Sequence, residues 1–360
     1  MKVLHTADLH IRKKGDERWQ ALEKVIGLCT TYKVDVLVIA GDMFDKGIDG
    51  ESLRPHVRKL FEESSFTTLI LPGNHDYEVF ESGRYWGSNV QVINDYIKPY
   101  KTKDVNFWGL PYEELREEEV LERLYDINER MDDEKTNILI FHGELTDTYQ
   151  WLKGFGDEGN KRYMPVKKAY FKDTKIKYVL AGHFHTNFDV IELPTGGYFV
   201  YPGSPVSVTS KELGKRKVNL FEVGKAPKEV TLDTFCYEYI QIDLDPFSEK
   251  DPVKYVDEQI KTFLNTSGHN CKITVQVKGY IDSSRHAITE SDFNEHLSKI
   301  QEKYGPAISA IYNEIQDLSY IFNNDLFREF TKRLQEKGFD NDEKKEITEY
   351  VIKAMMETLR

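Results

Sequence analysis

The sequence lacks any long apolar run. No stretch approaches the roughly 20 consecutive apolar residues that a transmembrane helix needs, and the mean hydropathy is −0.56. The first residues, MKVLHTADLH, enter a predicted strand directly, without the basic, apolar and cleavage regions of a secretory leader. We therefore expect a soluble protein of the cytoplasm (the host cytoplasm if the gene is viral) that makes no contact with a membrane.

Cysteine and basic residues are also scarce. The three cysteines are odd in number and far apart, which indicates neither a framework of disulfides nor a zinc site built from cysteines. Lysine and arginine total 49 against 61 aspartate and glutamate residues, so the net charge is −12. This balance argues against a protein that holds nucleic acid by its overall charge. A nucleic-acid substrate would need local basic patches, bound metal or a partner protein.

With 360 residues, the chain exceeds the roughly 250 to 300 residues at which a single core stops growing. Its first two thirds alternate strand-like and helix-like segments, and VDVLVIAGD is a continuous apolar run typical of a strand buried on both faces. We predict an α/β domain, layered as an αββα sandwich, over residues 1–243. Its end is marked by the turn-rich segment DLDPFSEKDP.

Two smaller parts are predicted after that boundary. Residues 244–320 read as helix, strand, helix and strand, which indicates a small α+β domain. Residues 321–360 read as two amphipathic helices, the second capped by Asn341 or Asp342. The apolar stripes of this helical pair contain Leu326, Phe327 and Phe330 in the first helix and Ile347, Val351 and Met355 in the second.

Polar residues follow the ends of five predicted strands. They are Asp8 and His10 in HTADLH, Asp42 and Asp45 in IAGDMFD, Asn74, His75 and Asp76 in LPGNHD, His142 in LIFHGE, and His183 and His185 in LAGHFH. In an open α/β sheet the carboxyl ends of the strands form the ligand crevice, so these side chains are expected to converge. Glycines at positions 41, 73 and 182 permit tight turns or a close approach of the backbone.

The donor types favour a metal site. Carboxylate, amide and imidazole ligands without cysteine suit manganese, iron or zinc better than calcium. Seven such ligands are too many for one tetrahedral zinc, but they fit two ions that share a bridging carboxylate and lie about 3.5 to 4 Å apart. Any one of these residues alone could be a strand cap or a satisfied polar core group; five motifs in order favour the metal.

The motifs DLH, GDMFD, GNHD, HG and GHFH resemble those of the calcineurin-like metallophosphoesterase superfamily, over roughly residues 1–205. Within that superfamily, YPGSP after the last histidine pair, a small α+β domain and a helical C-terminus are similar to the SbcD-type nucleases of double-strand-break processing. The resemblance implies a metallophosphoesterase core, an α+β domain that caps the active site and selects DNA geometry, and a C-terminal helical pair.

The resemblance also implies roles for the strand-end residues. Asp8, His10 and His185 would hold one metal, Asn74, His142 and His183 the other, and Asp42 would bridge them. His75 would be a catalytic residue over the scissile phosphate, where it stabilises the transition state and protonates or orients the leaving oxygen. Asp45 would orient His75, although some relatives carry histidine at that position. The ions expected are two divalent metals, with Mn²⁺ favoured.

The implied activity is that of a DNA nuclease, a 3′ to 5′ double-strand exonuclease and single-strand endonuclease of recombination and repair. Its implied partners are DNA and an SbcC-type coiled-coil ABC ATPase that receives the C-terminal helices, with a homodimer as a further possibility. Alternatively, those helices pack on their own domain. For DNA contact the candidates are Arg12, Lys13 and Lys14 in HIRKKG, and Lys215 and Arg216 in SKELGKRK, all of which could equally be solvated loop residues.

Two other functions remain open at this stage. A small-molecule phosphodiesterase or nucleotidase of the same superfamily would use the same ligands, but it leaves the chain beyond Asp245 unexplained. A scaffold protein with a degenerate site is the third possibility, and the presence of all seven ligands argues against it.

Overall fold

The computed structural model of this chain describes residues 1–81, 83–147, 162–267 and 270–358. It divides into unit 1, residues 1–237, and unit 2, residues 238–360. The sequence predicts a boundary at 243/244 and a second at 320/321. In the structure the division falls at 237/238, and the predicted helical segment is part of unit 2; its last two residues, 359 and 360, lie outside the described residues.

Unit 1 contains two six-stranded mixed sheets. In the first, four parallel strands are followed at one side by two antiparallel ones, in the order β12-β11-β1-β2-β3-β4. Its strands are β1 (Lys2–Thr6), β2 (Val36–Ala40), β3 (Thr67–Leu71), β4 (Val90–Val92), β11 (Lys217–Glu222) and β12 (Lys228–Thr231).

The second sheet has four parallel strands with an antiparallel strand at each edge, in the order β5-β6-β7-β8-β10-β9. Its strands are β5 (Tyr100–Lys101), β6 (Val105–Leu110), β7 (Thr136–His142), β8 (Ile176–Gly182), β9 (Asp189–Glu192) and β10 (Tyr198–Tyr201).

The two sheets pack face to face, because each central strand is apolar on both sides. Val36 and Val38 of β2 share one buried cluster with Ile138 and Ile140 of β7. Successive side chains of a strand point to opposite faces, so the residues between them, such as Leu37, belong to the clusters on the outer faces. The apolar layer between the two sheets is therefore one of three buried layers in unit 1, and the other two lie on the outer faces of the sheets.

Helices cover the two outer faces. Helix α1 (Glu17–Tyr32) and helix α2 (Gly47–Glu62) bury apolar side chains against the first sheet, and helix α3 (Glu117–Arg130) does so against the second. Helix α1 begins where the Asp16 carboxylate accepts a hydrogen bond from Trp19 N. The layers run helix, sheet, sheet, helix, which confirms the predicted αββα core.

Unit 2 is built on a three-stranded sheet in the order β13-β14-β15. Its strands are β13 (Cys236–Leu244), β14 (Cys271–Ile281) and β15 (Ile308–Asp317), and its longer helices are α4 (Pro252–Ser267) and α6 (Glu290–Tyr304), with the short α5 (Ser283–His286) between them. One face of β14 packs with α4 and α6 through residues such as Val275, Val256 and Phe293.

The C-terminal helices α7 (Ser319–Phe322), α8 (Asp325–Gln335) and α9 (Asn341–Thr358) form a small separate cluster. Phe327 and Met355 are buried in it, and Phe330 and Val351 pack against it half-buried. Ile347 is half-buried, whereas Leu326 is 71% exposed. Most of the apolar stripe predicted for a partner thus contacts its own unit.

Among the described residues, no helix combines the length and the apolar character that crossing a bilayer requires.

Candidate metal centre

The polar residues singled out in the sequence lie together at one end of the sandwich. Asp8 and His10 follow β1, Asp42 follows β2 and Asn74 follows β3, all in the first sheet. From the second sheet, His142 ends β7, and His183 and His185 follow β8. Because the parallel strands of both sheets end on the same side, seven residues spread over about half of the chain converge.

Glycines let these turns approach one another closely. A Cβ atom at Gly41 would overlap the His142 ring, and one at Gly73 would overlap the carboxylate of Asp42. Gly41 also has φ +91°, a conformation that favours glycine. The two positions fit the predicted role of glycine beside the site.

Several ligand candidates themselves adopt left-handed backbone conformations. Asp8 has φ +55°, His10 φ +47° and Asp42 φ +48°. Such conformations are uncommon outside glycine and persist where the surroundings over-determine them, often at functional sites. Main-chain hydrogen bonds hold the turns: His10 N donates to Asp42 O at 3.0 Å and Asp8 N to Gly41 O at 3.1 Å.

One group of donors surrounds the first candidate metal position. His10 Nε2 and His185 Nε2 face each other at 3.1 Å, and Asp8 Oδ1 lies 3.8 Å from His185 Nε2. Ligand atoms that each sit about 2.0 to 2.2 Å from one ion lie close to 3 Å from each other. The three side chains are all buried and can share one cation.

A second group lies beside the first. His142 Nε2 is 3.0 Å from Asn74 Oδ1 and 3.2 Å from Asp42 Oδ2. The other ring nitrogen of His142, Nδ1, is 2.9 Å from Ala40 O, which leaves Nε2 directed at the site. The ring of His183 lies beside it, with ring centroids 5.4 Å apart.

Asp42 stands between the two groups. Its Oδ1 accepts a hydrogen bond from His75 N at 3.0 Å. Its Oδ2 is buried between two imidazoles, 3.2 Å from His142 Nε2 and 3.8 Å from His10 Nε2. A buried carboxylate needs positive charge beside it, and a cation on either side would supply that charge. The residues present therefore fit two divalent ions.

The electrostatics of the site agree with this fit. Burial, followed by the neighbouring His185, lowers the pKa of His10 to about 3, so this ring is neutral and able to ligate. Burial also lowers the pKa of His142, but the adjacent carboxylates of Asp42 and Asp8 outweigh it and raise that pKa to about 10. The carboxylates thus make this a place where positive charge is favourable.

His75 is exposed at the mouth of the site, where the sequence predicted a catalytic residue. Its Nδ1 lies 3.1 Å from the main-chain carbonyl of Asp45, and its ring is 4.9 Å from that of His10. The carboxylate of Asp45 pairs with Arg12 Nε at 3.1 Å and Arg18 Nη1 at 2.9 Å. The Asp45 backbone thus contacts His75, while its carboxylate pairs with two arginines.

Two glutamates that the sequence analysis did not identify support the histidines. Glu212 Oε1 is 3.3 Å from His185 Nδ1, and Glu144 Oε1 is 3.7 Å from His183 Nε2. Glu144 follows His142 closely in HGE and could have been suspected. Glu212 belongs to an ordinary-looking charged segment, so nothing in the sequence marked it.

Asp76 also has a structural role at the site. Its two oxygens accept hydrogen bonds from Gly73 N at 2.9 Å and Phe44 N at 3.1 Å. These bonds tie the turn after β3 to the turn after β2.

The predicted DNA contacts separate into two kinds. Arg12, Lys13, Lys14 and Lys215 are exposed. Arg216 is buried, and its guanidinium donates to the carbonyls of Ser204, Thr186 and His185. The prediction of Arg216 as a DNA contact is therefore wrong, because its N–H groups are used to hold the turn that carries His185.

A four-layer sandwich with histidine, aspartate and asparagine donors gathered at the strand ends defines the class of metallophosphoesterases. The family model described as calcineurin-like phosphoesterase matches residues 1–187, which is more than half of the chain. The chain therefore belongs to the calcineurin-like phosphoesterase family, whose members hydrolyse phosphate esters with divalent metals.

Among curated proteins, the chain is similar to the SbcD component of the nuclease SbcCD of Staphylococcus epidermidis (strain ATCC 12228 / FDA PCI 1200). The two are 25% identical over 252 residues, which cover 60% of this chain and 64% of that protein. The chain thus matches less than two thirds of that relative's length, and the similarity is of SbcD type, as the motifs indicated.

Solved structures that the chain matches include a dimetal phosphatase from Danio rerio, at 10% identity and TM-score 0.39, covering 64% of this chain and 98% of that one. Another is the phosphopantetheinyl hydrolase PptH from Mycobacterium tuberculosis, at 13% identity and TM-score 0.34, covering 57% and 90%.

Proposed function

We propose that this chain is a two-metal DNA nuclease of SbcD type that processes DNA ends in recombination and repair. The observation that carries the proposal is the buried Oδ2 of Asp42, which lies between the two groups of ligand candidates, 3.2 Å from His142 Nε2 and 3.8 Å from His10 Nε2. This is the position a carboxylate takes when it bridges two ions in two-metal phosphoesterases.

Seven residues would hold the two ions, for which Mn²⁺ is the preferred candidate. Asp8, His10 and His185 would hold one, Asn74, His142 and His183 the other, and Asp42 would contact both. When bound, such ions polarise phosphate oxygens and lower the pKa of water. A donor set of nitrogen and oxygen atoms without sulfur suits Mn²⁺.

His75 would act on the substrate. Its backbone N–H donates to Asp42 Oδ1 and its Nδ1 lies 3.1 Å from the Asp45 carbonyl, and these two contacts orient the exposed ring at the mouth of the site. From there the imidazole would donate a proton or a hydrogen bond to the leaving oxygen.

The proposed substrate is DNA, cut as a 3′ to 5′ double-strand exonuclease and a single-strand endonuclease. Support comes from the similarity to a component of an SbcCD nuclease and from the exposed Arg12, Lys13 and Lys14, which lie just after the ligand His10. An acidic protein needs such a local basic segment to approach phosphate groups.

The proposed partner is an SbcC-type coiled-coil ABC ATPase in the cytoplasm. Leu326 on α8 is the candidate contact best placed for this, since it is 71% exposed. A partner that supplies basic surface would also offset the acidic balance of this chain.

The first test is Mn²⁺-dependent degradation of linear double-stranded and single-stranded DNA by the purified protein, compared with the His75→Ala variant. We expect wild-type cleavage and a loss of about 10² to 10⁴ in rate for the variant, with two Mn²⁺ still bound in both. The matched control is His56→Ala, which removes an exposed histidine of helix α2 and should cut like the wild type.

Other outcomes would redirect the proposal. If DNA survives while bis-p-nitrophenyl phosphate is hydrolysed, the chemistry stands, the substrate is wrong, and a small-molecule phosphodiesterase becomes the better proposal. If His75→Ala loses metal as well as activity, His75 acts as a ligand or a support of the site, and its assigned role fails.

A further inference from the structure

Arg18 is a buried charge beside the candidate metal centre, in contact with the main chain of His10. It is the second residue of helix α1, it is 3% exposed, and it belongs to none of the five motifs. A buried guanidinium costs free energy unless its N–H groups are paired. The groups that pair with the Arg18 guanidinium therefore identify the segments that this residue holds in place.

The guanidinium contacts three separate segments of unit 1. Nη1 donates to the carbonyl of His10 at 2.6 Å and to Asp45 Oδ1 at 2.9 Å, and Nη2 donates to the carbonyl of Val208 at 3.4 Å. Its rigid planar fork gives these bonds fixed relative directions, which a lysine ammonium could not reproduce.

Each segment held by Arg18 carries part of the site. The first carries His10, whose Nδ1 also lies 3.6 Å from Asp45 Oδ1. The second carries Asp45, whose carbonyl contacts His75 Nδ1 at 3.1 Å. The third is linked to His185, because Val208 N donates to Glu212 Oε2 at 2.8 Å while Glu212 Oε1 lies 3.3 Å from His185 Nδ1.

The backbone of His10 shows why such support is needed. Its φ of +47° is a conformation that an L-residue keeps only where its surroundings impose it. The two main-chain polar groups of His10 are both engaged, N–H on Asp42 O at 3.0 Å and C=O on Arg18. Without the second bond the turn can relax, and the imidazole moves with it.

We infer that Arg18 is the positioning residue of the centre, which sets His10 and, through Asp45, His75 at the same time. It contributes no ligand atom and contacts no substrate. The inference rests on the proposed metal-dependent hydrolysis at this site, but it concerns metal binding as well as turnover, so the two can be tested separately.

The test compares Arg18→Met and Arg18→Lys with the wild type. The matched control is Arg130→Met, an exposed arginine of helix α3 that pairs with Asp126 on the surface. Metal binding is followed by titration with Mn²⁺ and by the visible absorption spectrum of the Co²⁺-loaded protein, which reports ligand geometry. Turnover is followed with bis-p-nitrophenyl phosphate.

For Arg18→Met we expect the affinity for metal at the position that contains His10 to fall about 10- to 100-fold. A loss of this size is typical when a residue that hydrogen-bonds to a metal ligand is removed. The Co²⁺ spectrum should change, and kcat should fall at least tenfold with KM little altered. Arg18→Lys keeps the positive charge, but its Co²⁺ spectrum should still differ from that of the wild type. Arg130→Met should match the wild type in every readout.

A purely structural role would lower the melting temperature of Arg18→Met and leave both metal affinities and the Co²⁺ spectrum unchanged, which would overturn the inference. If Arg18→Met fails to fold by circular dichroism, Arg18→Lys decides by the same spectrum. If the wild type binds two metals yet hydrolyses no phosphodiester, the proposed function fails, while the metal readouts still decide the role of Arg18.

Discussion

At the scale of single residues, burial next to like charges is what prepares this site for a cation. Asp8 is fully buried near Asp42, and burial raises its pKa to about 6 although His185 and His142 oppose the shift. Burial, and then the Asp42 charge, raises the pKa of Asp76 to about 7. Of these two carboxyl groups only Asp8 is a candidate ligand, and with a pKa of about 6 it exchanges a proton for a metal near that pH.

A dependence of metal affinity on pH follows. Below about pH 6 Asp8 takes up a proton, and a neutral carboxyl group is a poor ligand, so affinity must fall as pH falls. Between pH 7 and pH 5 we expect protonation of Asp8 alone to lower Mn²⁺ affinity about tenfold, while His10, with a pKa of about 3, stays neutral.

Calorimetric titration with Mn²⁺ at the two pH values measures this dependence. The Asp8→Asn variant is the control, since it removes the titrating carboxyl group and should show weaker binding with a smaller dependence on pH. Equal wild-type affinity at pH 5 and pH 7 would contradict the assignment of Asp8 as a ligand.

Sequence reasoning at this scale could find the residues that follow strands and carry metal-binding atoms, because both properties are local. It could not separate Arg216, which is buried on carbonyls, from Lys215, which is exposed. Nor could it find Glu212 or Arg18. Their roles arise from contacts with residues 27 and 8 positions away in the chain, and no local pattern encodes them.

At the scale of elements, periodicity located strands and helices well. The first of the two strands predicted within residues 244–320 is present as β14, Cys271–Ile281, since its alternating apolar residues face one core. The predicted cap of the last helix was one or two residues late: Asp340 accepts hydrogen bonds from Asp342 N and Glu343 N. Three acidic or amide residues in succession offer equivalent caps, and the final turn geometry decides among them.

The helical pair α8 and α9 provides a matched comparison between a buried and an exposed apolar residue. Phe327→Ala removes a side chain from the cluster of α7, α8 and α9 and should lower the free energy of unfolding of unit 2 by about 3 kcal/mol or more. Leu326→Ala changes a 71% exposed neighbour and should alter it by less than about 0.5 kcal/mol.

Urea denaturation followed by circular dichroism separates the two variants. If Leu326→Ala instead destabilises the protein as much as Phe327→Ala, the exposed position of Leu326 is incorrect. Pull-down with an SbcC-type coiled coil then tests the proposed partner surface. Leu326→Ala should weaken binding to the coiled coil although the fold of the variant is intact.

At the scale of the whole molecule, all seven candidate ligands belong to unit 1. So do the three tryptophans among the described residues, at positions 19, 86 and 108; the fourth, at position 151, lies outside the described residues. Tryptophan fluorescence therefore reports on unit 1, whereas far-ultraviolet circular dichroism reports on both units.

We expect Mn²⁺ at about 100 times its dissociation constant to stabilise unit 1 by about 2.7 kcal/mol and to leave unit 2 unchanged. In thermal unfolding the fluorescence transition should move to higher temperature, while a second transition seen only by circular dichroism stays in place. Chelator should reverse the shift. A single transition that moves as a whole would contradict independent unfolding of the two units.

The division of the ligands between the two sheets has a kinetic consequence. Asp8, His10, Asp42 and Asn74 come from the first sheet, and His142, His183 and His185 come from the second. Each proposed metal position draws ligands from both sheets, and joining the sheets depends on contacts between residues far apart in the chain, which form slowly. Tight uptake of either ion during refolding should therefore begin only after the two sheets have packed together, so the rate of metal uptake reports the assembly of the sandwich.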